Sequence, residues 1–305
     1  MKEIIQKDLF AEILRYQSEY GDNAPQFQHG LDERERIINS DDMASFYGPI
    51  IQRLINCNYL EGNLPLFGNI MLSTINRCNG HCSFCGANVE RENRPLRRMS
   101  DELLDRIIDE CAQIHYCGRL TMEGLNEPFL DCDMRKRILW IHDKIPLARI
   151  HLITNGTMLK DETLVSIYPA VEKIHVNEYD GRGKNQIQDA LANVYKLPDG
   201  GKKVKFTSRI GHEVLAQFGN NQCGRTYSPG VSCSCILPFN TLSILPDGKV
   251  NLCIADMSCQ YCLGSLENQS MVEIWYGEKA EQYRKIIATG RKACTLCRHC
   301  DMFCF

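Results

Sequence analysis

FGNIMLSTINRCNGHCSFC, residues 67–85, runs from an apolar, strand-like segment directly into three cysteines, Cys78, Cys82 and Cys85. The spacing C-x3-C-x2-C lets one tight loop turn three thiolates toward one face of an iron-sulfur cubane, which leaves one iron without a protein ligand. Electron-transfer ferredoxins fill all four irons with cysteine, so a three-cysteine loop points to an iron kept open for chemistry at the metal. A zinc knuckle that adds His81 as fourth ligand is the alternative this loop leaves open by itself.

Outward from that loop, apolar runs near 67–75, 118–122, 148–153, 171–176 and 203–208 read as strands and alternate with helix-period segments. Ser100 precedes an acidic first turn, and Leu103, Leu104, Ile107, Ile108 and Cys111 recur at helical spacing, the pattern of a capped amphipathic helix. Met134, Ile138, Ile141 and Ile145 repeat it until Pro146 stops the helix. Parallel strands joined by helices collect their C-terminal ends on one face, where such barrels gather their chemistry. The expectation is an α/β fold, a partial (β/α)6 TIM-like barrel over residues 66–210, with its sixth strand unmarked. The cysteine loop then shares one rim with TMEGLNEPFLD (121–131), IHLITNGT (150–157), HVNEYD (175–180) and FTSRIG (206–211).

Beyond residue 210 glycines interrupt the apolar pattern and cysteines become dense, so residues 211–305 read as a linker and a small α+β module. CILPFNTLSILPDGKVNLC (235–253) is two strands reversed at Pro246-Asp247-Gly248, which lets Cys235 and Cys253 meet on one side. A helical segment, SMVEIWYGEKAEQYRKII (270–287), leads to CTLCRHCDMFC (294–304). Two hairpin cysteines and a C-x2-C after a helix close a four-thiolate site, for a second cluster or for a zinc ribbon. Cys259 and Cys262 form a further C-x2-C and, with Cys294 and Cys304, are candidates for a third metal or for alternative ligands.

The cysteine loop, with aromatic Phe84 before its last cysteine, resembles the signature of the radical S-adenosylmethionine superfamily. The resemblance implies that the open iron takes the methionine end of S-adenosylmethionine and that reduction releases a 5'-deoxyadenosyl radical able to remove hydrogen from carbon. TMEGLNEPFLD resembles the family's Gly-Gly-Glu-Pro strand end, with Gly124 and Glu127 holding the methionine ammonium and Asn126 in place of the usual second glycine. Thr154, Asn155 and Gly156 correspond to the strand end beside the adenosine, and Asn177, or Glu178, to a ribose contact. Cys235, Gly248, Cys253, Cys297 and Cys300 match the family's auxiliary-cluster module, the twitch form of the SPASM domain, which implies an auxiliary 4Fe-4S cluster. FTSRIG, with Ser208, Arg209 and Gly211, is similar to a strand end of family members that oxidise a cyclitol, and it implies Arg209 as a substrate-orienting residue.

Those matches lead to an oxidoreductase or epimerase acting on a sugar, cyclitol or aminoglycoside, with the second cluster as electron carrier and a flavodoxin- or ferredoxin-type reductant. In an epimerase, Cys223, which stands outside every cluster motif, is the candidate hydrogen donor. A maturase of ribosomally made peptides, forming a crosslink, thioether or D-residue, is the runner-up, although no added peptide-recognition domain is evident. A nonenzymatic zinc-binding module is the control.

Of seventeen cysteines, ten fall outside the two cluster sets, and Cys57, Cys111, Cys117 and Cys132 sit in or beside apolar segments and are expected to be buried or inert. The charged start MKEIIQKDLF carries no signal-type apolar core, and reduced thiols fit a cytoplasmic enzyme. A net charge of -3 gives no electrostatic case for nucleic acid, and no run is apolar enough for a membrane span. Residues 1–65 hold helix-like pieces, IIQKDLFAEILRY and FYGPIIQRLI, without a motif that assigns them a role.

Overall fold

The five apolar runs become parallel strands β1 (Asn69–Leu72), β2 (Arg119–Met122), β3 (Arg149–Thr154), β4 (Lys173–Glu178) and β5 (Val204–Ser208). The structure is a computed structural model that describes residues 5–19, 40–82, 85, 95–124, 126–210, 230–256 and 258–303. Alternation along each strand decides which side is wet. Ile70, Leu72, Leu120, Met122, Ile150, Leu152, Ile174 and Val176 are buried in one core with the apolar faces of α3 (Asp101–Gln113), α4 (Met134–Lys144), α5 (Asp161–Ile167) and α6 (Lys184–Tyr195). The intervening residues turn a polar side inward, where Thr121 Oγ1 donates to Asn69 Oδ1 at 2.8 Å and Asn69 Nδ2 donates to Thr241 Oγ1 at 3.3 Å. Ser100 caps α3 as expected, accepting from the Leu103 N–H at 3.2 Å.

The sixth parallel strand is β6 (Thr241–Ile244), and it lies against β1, where it begins the expected hairpin. The turn closes where anticipated: the Gly248 N–H donates to the Leu245 carbonyl at 2.9 Å and the Leu245 N–H to the Lys249 carbonyl at 2.8 Å. β7 (Lys249–Asn251) and β8 (Cys262–Ser265) follow antiparallel, giving one eight-stranded sheet in the order β5-β4-β3-β2-β1-β6-β7-β8. The cysteine-rich segment therefore continues the barrel sheet, and β8 is a strand that its short, glycine-containing sequence did not announce. β6 is buried along its whole length, with Leu242 and Ile244 in the core and Thr241 on the polar interior.

The N-terminal helices α1 (Leu9–Glu19) and α2 (Ser40–Ile55) build a second core with this segment: Leu9, Ile13, Tyr47 and Ile51 pack with Phe239, Leu252, Ile287, Leu296 and Phe303. A buried Asn240 side chain locks the pairing by accepting from the Leu9 N–H at 2.7 Å. Cys111 is fully buried as expected, but Cys57, Cys117 and Cys132 are exposed. Cys57 follows the last turn of α2 and Cys117 stands in the connection before β2, so apolar neighbours in sequence do not cover them. Among the described residues no helix is long and apolar enough to cross a membrane.

Candidate active site at the strand ends

Cys78, Cys82 and Cys85 follow β1, and burial, together with the nearby Cys85 and Cys78, pushes the Cys82 thiol up to about 11. Three thiolates at such a place need a cation among them. A single zinc at about 2.3 Å from each sulfur would draw the sulfurs to within about 3.8 Å of one another. Among the described residues, the only three potential ligand atoms that approach within 4.8 Å are those of Asp131, Cys132 and Asp133. The loop is thus wider than a zinc site and suits a cubane that takes each thiolate on a separate iron. The Gly80 N–H donates to Cys78 Sγ at 3.2 Å, and a Cβ on Gly80 would stand 3.2 Å from Cys78 Sγ and 3.6 Å from Cys82 Sγ, inside the space the cluster needs.

The ends of β2 and β3 hold this loop in place. The Glu127 N–H donates to the Arg77 carbonyl at 2.8 Å, next to the first cysteine. The Glu127 side chain, expected to face a methionine ammonium, is instead 1% exposed, and both its oxygens are engaged. Oε1 accepts from Thr154 Oγ1 at 2.6 Å and from the Phe129 N–H at 3.2 Å, and Oε2 accepts from the Asn155 N–H at 2.7 Å. Burial raises its pKa while these donors oppose the rise. Glu127 therefore ties two strand ends together. Asn155 passes the tie to the cysteine loop: its Nδ2 donates to Asn79 Oδ1 at 2.8 Å, and Asn79 Nδ2 donates to Thr157 Oγ1 at 2.8 Å. Gly156 is required between them, because its φ is +75° and a Cβ would meet Ile187 at 2.8 Å.

Gly124 answers a different need. A Cβ there would stand 1.9 Å from Ser73 Oγ and 3.1 Å from Ser73 Cβ, so a larger residue would have to displace the Ser73 hydroxyl and crowd the ends of β1 and β2. Beside it, both polar atoms of the Asn126 side chain are buried without a hydrogen-bond partner. An amide that can donate and accept, one residue before the Glu127 N–H that meets the Arg77 carbonyl, fits the amino and carboxylate groups of S-adenosylmethionine. The backbone of Gly124 and the side chain of Asn126 would hold that end, a role the sequence reading gave to Gly124 and Glu127.

Strand alternation turns Glu123, Asn177, Tyr179 and Arg209 toward the polar interior. Arg209 Nε donates to Asn177 Oδ1 at 3.4 Å, and the Arg209 N–H to the Glu178 carbonyl at 2.6 Å. Glu178 faces away from the interior and accepts from Ser208 Oγ at 2.8 Å, which leaves Asn177 as the ribose candidate of that pair. The Tyr179 phenol is raised above its usual range by burial and lies within the fields of Arg209, Cys82, Cys85 and Glu123, so one neighbourhood contains all five groups. Burial also pushes the Glu123 carboxyl up to about 7, opposed by Arg119. Tyr179 was missed as a site residue, although the alternation of HVNEYD puts it on the face that carries Asn177. Cys223, Phe84, Gly211 and Cys304 lie outside the described residues.

A second thiol assembly forms where the hairpin meets the C-terminal segment. The Cys297 thiol is raised by a hydrogen bond with the Cys294 side chain, by burial, and by the fields of Cys235 and Cys253. Cys300 lies in the same neighbourhood, and so does Cys233, a thiol that the spacing pattern did not include. The Ala255 N–H donates toward Cys253 Sγ at 3.5 Å. The expected set Cys235, Cys253, Cys297 and Cys300 is brought to one neighbourhood, with Cys294 and Cys233 beside it. Cys259 and Cys262 pair with each other on the β7–β8 connection.

Comparison with known proteins matches two segments of the chain. The family model for the radical SAM superfamily matches residues 72–208, and that for the SPASM iron-sulfur cluster-binding domain matches residues 233–301. S-adenosyl-L-methionine-dependent 2-deoxy-scyllo-inosamine dehydrogenase of Niallia circulans is 23% identical over 240 residues, spanning 77% of this chain and 93% of that protein. The crystal structure of BtrN in complex with AdoMet and 2-DOIA aligns with a TM-score of 0.66 at 22% identity, covering 78% of this chain and 94% of that one. Native anSMEcpe with bound AdoMet aligns with a TM-score of 0.50 at 14% identity, covering 76% and 88%. The cysteine loop and the strand ends fall within the first matched segment and the second thiol assembly within the other, so a 4Fe-4S cluster, S-adenosylmethionine and an auxiliary iron-sulfur cluster are this enzyme's cofactors. The chain belongs to the radical S-adenosylmethionine superfamily and carries a SPASM iron-sulfur cluster-binding domain in residues 233–301.

Proposed function

We propose that this enzyme oxidises a carbon bearing a hydroxyl group in a small polyhydroxylated substrate, an aminocyclitol or amino sugar. When bound, the first cluster with S-adenosylmethionine supplies a 5'-deoxyadenosyl radical that takes a hydrogen atom from that carbon, and the auxiliary cluster accepts the one electron that remains. The chain's own residues orient the substrate and receive its hydroxyl proton. The observation that carries the reading is the grouping of Glu123, Tyr179 and Arg209 beside the cysteine loop, on a barrel interior already polar with Asn69, Thr121 and Thr241. A cyclitol needs many hydrogen-bond partners and little apolar surface. Arg209 and Tyr179 orient hydroxyls, and the Glu123 carboxylate, with its pKa near neutrality, takes the proton released as the ketone forms. The Niallia circulans relative, named for a dehydrogenation of 2-deoxy-scyllo-inosamine, supports the same substrate class.

In this reading residues 66–210 bind S-adenosylmethionine and substrate, the module after residue 210 carries the electron away, and helices α1 and α2 brace that module. A flavodoxin- or ferredoxin-type protein supplies the reducing electron in the cytoplasm. Anaerobically reconstituted enzyme is incubated with dithionite, S-adenosylmethionine and a panel of C-deuterated aminocyclitols. Transfer of deuterium into 5'-deoxyadenosine together with a ketone product is expected. Transfer without ketone, with solvent deuterium entering an epimer, replaces oxidation by epimerisation and directs attention to Cys223. Absence of transfer from every cyclitol, with transfer from a peptide, overturns the substrate class.

A further inference from the structure

Arg291 is a buried cation, and among the described residues the anionic groups that act most on it are cysteines. Its side chain is 1% exposed, at the turn Arg291–Ala293 that follows α7 (Glu278–Ala288). Nη1 donates to the Met302 carbonyl at 2.7 Å, the guanidinium lies 4.7 Å over the Phe303 ring, and Nε is buried with no hydrogen-bond partner. The fields that act on it are those of Cys235, Cys300, Cys233 and Cys297. Its backbone is wired to the same group: the Arg291 N–H donates to the Cys233 carbonyl at 3.4 Å, and the Arg291 carbonyl accepts from the Cys294 N–H at 3.0 Å.

The chain's other fully buried arginines are neutralised differently. Arg137 faces Asp131 and Asp101 at 3.3 and 2.7 Å. Arg284 lies in the field of Glu281 and donates to the carbonyls of Pro238 and Trp275 at 2.8 and 2.5 Å, with its guanidinium 4.0 Å over the Trp275 ring. A guanidinium does not shed its proton inside a protein, so burial without an anion is costly. At Arg291 the groups among the described residues that supply that anion are cysteine thiolates.

We infer that Arg291 is the counter-charge of the auxiliary cluster and raises its reduction potential, fitting it to accept an electron from substrate. Four thiolates on a 4Fe-4S core leave it negatively charged, and reduction adds one electron more. A fixed cation beside the sulfurs stabilises the reduced form more than the oxidised one, and exclusion of water strengthens the effect. The residue acts through the cluster and touches no substrate, so it is a positioning and tuning residue.

The test is an EPR-monitored redox titration of the full-length holoenzyme, with the auxiliary signal assigned in the variant that replaces Cys78, Cys82 and Cys85 by alanine. Arg291→Gln is expected to shift the one-electron equilibrium at least tenfold toward the oxidised cluster, a fall of 59 mV or more. Arg291→Lys, which keeps the charge, is expected to stay within a third of that shift. Iron content separates tuning from folding. An unchanged potential in Arg291→Gln, an equal fall in Arg291→Lys, or loss of auxiliary-cluster iron from either variant would overturn the inference.

Discussion

Replacing Glu123 by glutamine tests the barrel interior without touching either cluster. Burial raises this carboxyl from 4.5 to about 7, opposed by Arg119. Below pH 4.5 the group is protonated whether the chain is folded or not, and it carries no penalty. As pH rises from there the unfolded chain loses the proton first, so the folded state weakens until the folded carboxyl also ionises near pH 7. The penalty is about 1.4 kcal/mol at pH 5.5 and approaches about 3 kcal/mol at pH 8.5. Glu123 keeps partial contact with solvent, which favours the lower end of that range. Glutamine is neutral throughout, so Glu123→Gln should be the more stable protein, by a margin that grows by about 1.5–2 kcal/mol between pH 5.5 and 8.5. Anaerobic urea unfolding of both proteins across that range measures the margin. A margin independent of pH, or one that grows toward acid, refutes the assignment of a near-neutral carboxyl. In turnover the same variant should lose about 10²- to 10⁴-fold of ketone formation, the usual effect of removing a general base.

Thr154→Val removes the 2.6 Å hydrogen bond to Glu127 while keeping side-chain volume, and urea denaturation should show a loss of about 1.5–3 kcal/mol. Asp131→Asn withdraws the buried anion that Arg98 meets at 2.7 Å and Arg137 at 3.3 Å, so unfolding measurements should register about 3–5 kcal/mol of destabilisation. Replacing Cys78, Cys82 and Cys85 together should abolish 5'-deoxyadenosine formation and lower iron from about eight to about four per chain, counted by iron and sulfide assay after reconstitution. Persistent 5'-deoxyadenosine in that variant would contradict the assignment of the loop.

Signals carried by neighbours in sequence were legible in advance: the C-x3-C-x2-C loop, five alternating or buried strand runs, the Ser100 cap and the hairpin turn at Pro246-Asp247-Gly248. Glu127 shows the limit of such reading. Its motif located a carboxylate at the right strand end, yet whether that carboxylate faced a ligand or the protein depended on Thr154 and Asn155, which approach it only because β2 and β3 pair. Tyr179 and Glu123 were equally hard to rank, since their significance is a shared neighbourhood with Cys82, Cys85 and Arg209 rather than any local pattern.

By itself the sequence determined the strand-and-helix alternation, the cysteine loop at the first strand end and the presence of a second thiol set, because each rests on spacing within one short segment. Only the tertiary structure decided that β6 closes onto β1, that α1 and α2 share a core with the cysteine-rich segment, and that Arg291 is enclosed among thiols. Those outcomes depend on burial and pairing between segments up to two hundred residues or more apart, where the energy of contact is set by what packs against what and leaves no periodic trace along the chain.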